Sequence, residues 1–257
     1  MIRITDIPAW RAYRQELAGA SLGFVPTMGA LHAGHEALVK ASVSQNELAA
    51  ASVFVNPTQF DQAADLAAYP QKLERDLDLL ECNGVDAVLL PDYEQLYPDD
   101  FRYRVSEGDL STRYCGQHRP GHFDGVLTVV MRLLNIVRPD RAYFGEKDYQ
   151  QLQLVRGMVE SFFMEVEIVA CPTVRAADGL ALSSRNQRLE PAQREVAPAL
   201  YRALQDSSSP TQAARSLQQV GFDVEYVDDF KGRRLAAARL GEIRLIDNVA
   251  VETTDAS

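Results

Sequence analysis

A chain of 257 residues holds one to two domains at the ~150 residues usual for each. Its 46% hydrophobic and 24% charged content excludes collagen-like, disordered and disulfide-framework classes. Lys plus Arg at 26 against Asp plus Glu at 36 leaves a formal charge of -10, which repels phosphate polymers and anionic lipid at long range, so neither nucleic acid nor membrane is expected as a partner.

Strand-length apolar runs alternate with helical patterns through the first two thirds, which predicts a parallel sheet covered by helices, a Rossmann-like α/β fold. The first strand is expected at 22–25 and a helix from about 34 to 45. A second strand, 50–55, is stopped by Asn56-Pro57. Leu73, Leu77 and Leu80 fall at helical spacing, and a third strand is expected at 87–90. Residues 92–121, rich in Tyr, Pro and charge, read as a long excursion with little regular structure, the kind of segment that is commonly functional. A helix follows at 125–137, stopped before Pro139, then a strand at 141–144, a helix at 149–162 and a strand at 166–170. Beyond Pro172 the pattern changes to a polar stretch at 177–186, a helix from 191 to about 206, a flexible break at 207–210 and strands near 223–227 and 244–246. That remainder suits a small α+β domain.

Cys82, Cys115 and Cys171 are odd in number and far apart, with no metal-clip spacing. They read as small buried side chains in a reducing compartment. Neither a leader pattern nor a run of ~18 apolar residues is visible, and a cytoplasmic location is expected.

The segment Phe24-Val25-Pro26-Thr27-Met28-Gly29-Ala30-Leu31-His32-Ala33-Gly34-His35 leaves the first strand, turns through a glycine and enters a helix. In an open parallel sheet, ligands bind at the carboxyl ends of strands, where a helix N-terminus offers free N–H groups to anions. Two histidines there suit a phosphate, although an H-x-x-H pair alone reads equally as two surface residues. Lys147 follows another strand end, and lysines occur only at 40, 72, 147 and 231. Its ammonium is expected at the same sheet edge as a charge clamp. Leu182-Ser183-Ser184-Arg185 offers hydroxyls, backbone N–H groups and a guanidinium, a set suited to pyrophosphate or simply a polar loop.

T-M-G-A-L-H-A-G-H resembles the H-x-G-H signature of the nucleotidylyltransferase superfamily. The fuller wording is similar to the pantoate-beta-alanine ligase family within it. Further blocks agree in order: S-V-F-V-N-P-T-Q-F at 52–60, R-P-G-H-F-D-G-V at 119–126, N-I-V-R-P-D-R-A-Y-F-G-E-K-D-Y-Q-Q at 135–151, P-T-V-R at 172–175, D-G-L-A-L-S-S-R-N at 178–186 and R-L-I-D-N at 244–248.

The resemblance implies an ATP-dependent ligase that condenses (R)-pantoate with beta-alanine through a pantoyl adenylate, releasing pyrophosphate and AMP, with Mg²⁺ accompanying ATP. It implies a nucleotide- and pantoate-binding domain at 1–173, a small lid domain at 174–257 and a homodimer. His32, His35, Lys147, Ser183, Ser184 and Arg185 are the implied catalytic groups. Met28, Gly29, Ala30, Leu31, Ala33, Gly34, Gly145, Glu146, Asp148, Val174 and Leu182 join them in lining the nucleotide. Gln59 and Gln151 are implied to hold pantoate, with Asn56 orienting the amine or phosphate. Phe54, Phe60, Met28 and Val130 are wall candidates equally well read as core. His122 is placed near substrate. Asp76, in Glu74-Arg75-Asp76, stands where relatives keep carboxylates near magnesium, but Arg75 interrupts the acidic pair and no protein metal ligand is expected. Two other readings fit the glycine turn: a transferase moving AMP or CMP to a phosphate-bearing acceptor, for which a more basic acceptor pocket is expected, and a non-catalytic nucleotide-binding module, which need not keep the histidines, Lys147 and Ser-Ser-Arg together.

Overall fold

The structure, a computed structural model, describes residues 1–17, 19–70 and 72–251. Residues 252–257 of the expected second domain lie outside the described residues. The chain divides into two compact units, Met1–Glu146 with Gln150–Cys171, and Lys147–Tyr149 with the chain from Pro172 onward.

The larger unit is an α/β doubly wound sheet. In chain order come β1 (Ile2–Ile4), α1 (Ile7–Glu16), β2 (Leu22–Thr27), α2 (Ala33–Gln45), β3 (Leu48–Val53), α3 (Ala63–Ala67), α4 (Leu73–Cys82), β4 (Ala87–Leu89), α5 (Tyr93–Leu96), α6 (Cys115–His118), α7 (His122–Val137), β5 (Arg141–Gly145), α8 (Tyr149–Ser161) and β6 (Glu167–Cys171). The strands run parallel in the order β1-β4-β3-β2-β5-β6. Winding goes from β2 through β3 to β4 on one side and through β5 to β6 on the other. The order therefore reverses between β2 and β5, where a parallel sheet opens a crevice beyond its carboxyl ends.

Central β2 is buried on both faces, hence its unbroken apolar run. Pro26 is tolerated because pairing with β5 ends at Phe24, so no ladder bond is lost for want of its N–H. Gly23 lets α2 lie close, since a Cβ there would stand 2.3 Å from Ser42 Oγ and 2.4 Å from Asn46 Nδ2. Val25, Leu31, Val39, Leu77, Val88 and Tyr143 pack into one buried cluster around that contact. Sequence pattern alone misses β1, which is three residues long, and α1, which is capped by Asp6 accepting from the Ala9 N–H and buries only Trp10. The 92–121 excursion contains only α5, one turn at Leu110–Thr112 and α6. Cys115 and Cys171 are buried, but Cys82 is exposed, contrary to expectation, because it falls on the solvent side of the last turn of α4.

The smaller unit contains α9 (Pro191–Val196), α10 (Ala199–Asp206), α11 (Pro210–Gln219), β7 (Asp223–Phe230), β8 (Arg233–Leu240) and β9 (Ile243–Ala250), the strands forming an antiparallel sheet in the order β7-β8-β9. Leu200, Leu204, Leu217, Phe222, Ala236 and Leu245 belong to its core. The helix expected from 191 to 206 is two helices, α10 starting after Pro198, whose missing N–H interrupts the ladder. The expected flexible break at 207–210 instead starts α11: Ser209 accepts from the Gln212 N–H, with Pro210 in the first turn. The Ala-rich β8 has helix-forming composition, yet Ala236, Ala237 and Ala238 are buried in the middle of the sheet, where pairing on both edges overrides propensity.

Candidate functional site

Beyond β2 the chain turns so tightly that both Gly29 (φ +78°) and Ala30 (φ +51°) occupy left-handed geometry. A Cβ on Gly29 would stand 2.9 Å from Asp76 Oδ2, so glycine is required by space as well as by φ. Asp76, 2% exposed, reaches across from α4. Its Oδ2 accepts from the Ala30 N–H at 2.8 Å and its Oδ1 from the Leu31 N–H at 2.7 Å. Thr27 Oγ1 accepts from the Gly29 N–H and donates to the Ser52 carbonyl. The turn is thus pinned to two neighbouring elements before it delivers His32.

His32 caps α2: its Nδ1 accepts from the Gly34 N–H at 3.1 Å, while Nδ1 of His35 accepts from the His32 N–H at 3.3 Å. The rings lie 4.1 Å apart between centroids. Because each Nδ1 faces a donor, both neutral imidazoles carry their hydrogen on Nε2. Gly34 leaves the room this needs, since a Cβ would approach His32 Nδ1 to 2.9 Å.

The second segment leaves neighbouring β3. Asn56 is 1% exposed, and its amide is fully engaged, Nδ2 donating to Gln59 Oε1 (3.0 Å) and the Gly125 carbonyl (3.2 Å), Oδ1 accepting from Thr58 Oγ1 (3.0 Å) and Tyr97 Oη (2.8 Å). Buried and engaged in this way, Asn56 holds the Gln59 side chain from within. His122, expected near substrate, braces the same turn. Buried at the start of α7, it donates from Nδ1 to the Gln59 carbonyl at 2.7 Å, leaving Nε2 to accept from Arg119 at 3.0 Å. Phe54 and Val130 are buried core residues. Half-buried Phe60 packs edge-on to Tyr69 at 5.7 Å, and Tyr69 Oη donates to the Gly29 carbonyl at 3.5 Å, so one tyrosine links the histidine and glutamine segments. Gln151, in the first turn of α8, is half-buried, and its amide makes no hydrogen bond among the described residues. Its neighbour Gln150 is buried and clasps the Cys115 N–H and the Leu110 and Arg113 carbonyls.

Lys147 sits in a single turn, Glu146–Asp148, directly after β5. Its Nζ stands 4.0 Å from Asp148 Oδ2, and its carbonyl accepts from Asn248 Nδ2 at 3.0 Å. Arg233 donates to Asn248 Oδ1 at 2.6 Å and lies over the Tyr149 ring at 5.0 Å. Arg175 grips buried Asp247 in a bidentate pair at 2.6 and 2.9 Å and stacks on Tyr201 at 3.8 Å. The P-T-V-R and R-L-I-D-N blocks are therefore one clasp. Above it the chain doubles back, Leu182 N–H to the Val174 carbonyl and Arg175 paired with Ala181. Ser183 then accepts from the Arg185 N–H at 3.3 Å, and Ser184 is buried in the turn that follows.

Sequence reasoning missed the roles of Asp76, Tyr97 and Gly125. Asp76 had a legible signal, a carboxylate beside Leu77 and Leu80 on the inward face of α4. The acidic segment does not fit a bound cation: both Asp76 oxygens are on backbone N–H groups, and Glu74 is exposed beside Arg3 at 3.4 Å. Among the described residues no cluster of His, Cys, Asp or Glu suits a metal, and no helix is long and apolar enough to cross a membrane.

The family model for pantoate-beta-alanine ligase matches residues 2–250. A pantothenate synthetase of Bdellovibrio bacteriovorus is 57% identical over 242 residues, 94% of this chain and 96% of its own. One from Legionella pneumophila is 50% identical over 95% of this chain and 97% of its own. Among solved structures, pantoate-beta-alanine ligase from Francisella tularensis, complexed with beta-gamma ATP and beta-alanine, superposes with a TM-score of 0.92 at 38% identity, covering 97% of each chain. Two parallel strands ending side by side in a pinned H-x-x-H turn and a braced glutamine, with the sequence matched from residue 2 to 250, establish that the chain belongs to the pantoate-beta-alanine ligase family.

Proposed function

We propose that the chain joins (R)-pantoate to beta-alanine in two steps. A pantoate carboxylate oxygen bonds to the α-phosphorus of ATP as the bond to the β-phosphate bridging oxygen breaks, giving pantoyl adenylate and pyrophosphate. The amine of beta-alanine then bonds to the acyl carbon, loses a proton and expels AMP, giving pantothenate. Family membership supports the overall reaction, and the ligands of the Francisella relative support ATP and beta-alanine as substrates.

The observation that carries the mechanism is the orientation of the histidine pair: His32 and His35 both turn Nδ1 to a backbone N–H, which assigns the ring hydrogen to Nε2 as a donor for phosphate oxygens. Donors placed in advance where charge grows on phosphate oxygens lower the barrier without reorganising. Lys147, Ser183, Ser184 and Arg185 are assigned to the same phosphates. Met28, Gly29, Ala30, Leu31, Ala33, Gly34, Gly145, Glu146, Asp148, Val174 and Leu182 are assigned to the nucleotide, and Gln59 and Gln151 to pantoate. Both Asp76 oxygens are taken by backbone N–H groups, so Mg²⁺ is placed on the nucleotide's own oxygens and no step is routed through it. A homodimer and a cytoplasmic location are assigned on the family resemblance alone.

Pantothenate formation should require all three substrates, and pyrophosphate exchange into ATP should require pantoate but not beta-alanine. His35→Ala and Lys147→Ala are expected to slow that exchange by about a hundredfold or more with the circular dichroism unchanged. Near-normal exchange would remove the assignment, and AMP release independent of beta-alanine would favour a different transfer.

A further inference from the structure

The Tyr97 ring is 2% exposed and held from several sides, by Tyr93 at 4.8 Å, by the edge of Phe101 at 5.6 Å and by the Arg132 guanidinium at 4.6 Å. Arg132 is itself fixed by Asp99 at 2.7 Å and the Tyr103 carbonyl at 2.8 Å. The groups that clamp the ring from the 92–104 segment and α7 have no part in the proposed chemistry, and on the other side the ring meets Phe54 at 6.4 Å and its hydroxyl lies 3.2 Å from Thr58 Oγ1. What they aim is one phenol oxygen, 2.8 Å from Asn56 Oδ1.

An asparagine amide can be turned either way, and its neighbours decide which. The Gly125 carbonyl accepts only, so it faces Nδ2; the Tyr97 and Thr58 hydroxyls stand at the other end, on Oδ1. With that end fixed, the second Nδ2 hydrogen meets Gln59 Oε1, and Gln59 is fixed in turn. Its oxygen points inward and its Nε2, which has no hydrogen bond among the described residues, is presented outward. We infer that Tyr97 is a positioning residue for substrate recognition: through Asn56 it sets the amide of Gln59 so that two N–H donors, and not a carbonyl oxygen, meet the acceptor oxygens of a hydroxy acid. Burial pushes the Tyr97 hydroxyl above its ordinary range, so it stays a donor at any assay pH near neutrality.

This rests on the reading that Gln59 holds pantoate, and a mutant cycle separates the two. Gln59→Ala alone should raise the KM for pantoate; if it does not, that reading fails irrespective of Tyr97. Tyr97→Phe, which removes one oxygen, should raise the pantoate KM roughly three- to tenfold, leaving kcat and the KM for ATP near the parent values. In the Gln59→Ala background the same change should have no further effect on pantoate KM, because Tyr97 acts only through that amide. Additive effects, equal losses for ATP and pantoate, or an unchanged KM in Tyr97→Phe would overturn the inference. Should Tyr97→Phe fold poorly, Thr58→Val removes the other hydroxyl on the same oxygen and is read by the same cycle, with the same outcomes deciding.

Discussion

Asp76 is the residue on which the histidine turn depends. Two adjacent N–H groups at the end of β2, those of Ala30 and Leu31, have no strand partner and are buried, and a single carboxylate satisfies both. Burying such donors unpaired costs about 1–3 kcal/mol each, more than the turn's left-handed geometry can absorb. Asp76→Ala is therefore expected to lower stability by roughly 2–6 kcal/mol and to depress adenylate formation, because His32 is delivered by that turn. Asp76→Asn keeps one acceptor and should fall between. Urea midpoints beside exchange rates check both, and an alanine variant with parental stability would show that the turn holds itself. The same residue marks a limit of reading sequence. Its charge and its neighbours Glu74 and Arg75 describe a solvated acidic helix start, and only its place beside Leu77 and Leu80 on the inward face hints at burial.

At the scale of elements, α7 and the short turn Pro57–Gln59 form one unit although 60-odd residues separate them in the chain. A Cβ at Gly125 would lie 2.4 Å from the Thr58 carbonyl oxygen and 2.7 Å from the Gln59 Cα, so α7 rests directly on the backbone it supports. Gly125→Ala should push the two apart, at a cost of about 1–3 kcal/mol for an overpacked contact, and raise the pantoate KM more than the ATP KM; steady-state kinetics and thermal melts measure it, and parental values for both constants would contradict the packing. Periodicity reads α4 and α8 well because each buries a face whose spacing is visible, and β2 is legible as an unbroken apolar run because both its faces are buried. It cannot say that blocks 52–60 and 119–126 meet, since that follows from which helix covers which strand end. It also passes over β8, where alanines that would favour a helix are buried between two strands, and over Tyr97, one of several tyrosines in a segment without period.

For the whole molecule, a charge of -10 says less than where the carboxylates sit. Asp61 is partly buried, which raises its pKa, but the hydrogen bond and charge of Arg119 outweigh that and hold the carboxyl below its ordinary value. Asp99 is held lower still by its Arg132 hydrogen bond and the Tyr103 N–H, and Asp178 is lowered by Arg194. Each is depressed in the folded state, so the unfolded chain takes up these protons first. The stability they give is complete above the ordinary aspartate value of about 3.9 and is lost as pH falls through the lower folded values. Asp61 matters beyond stability, because Arg119 also donates to His122 and to the Gln59 carbonyl. Asp61→Asn is expected to be less stable than the parent at pH 7 and to converge with it in acid, as pH falls through the lowered value of the folded carboxyl and the parental carboxylate is itself protonated. It should also bind pantoate more weakly at neutral pH. Urea titrations at several pH values decide this: curves that stay parallel down to the acid limit would mean that the Asp61–Arg119 pair contributes nothing that titrates, and that Arg119 braces the glutamine turn without it.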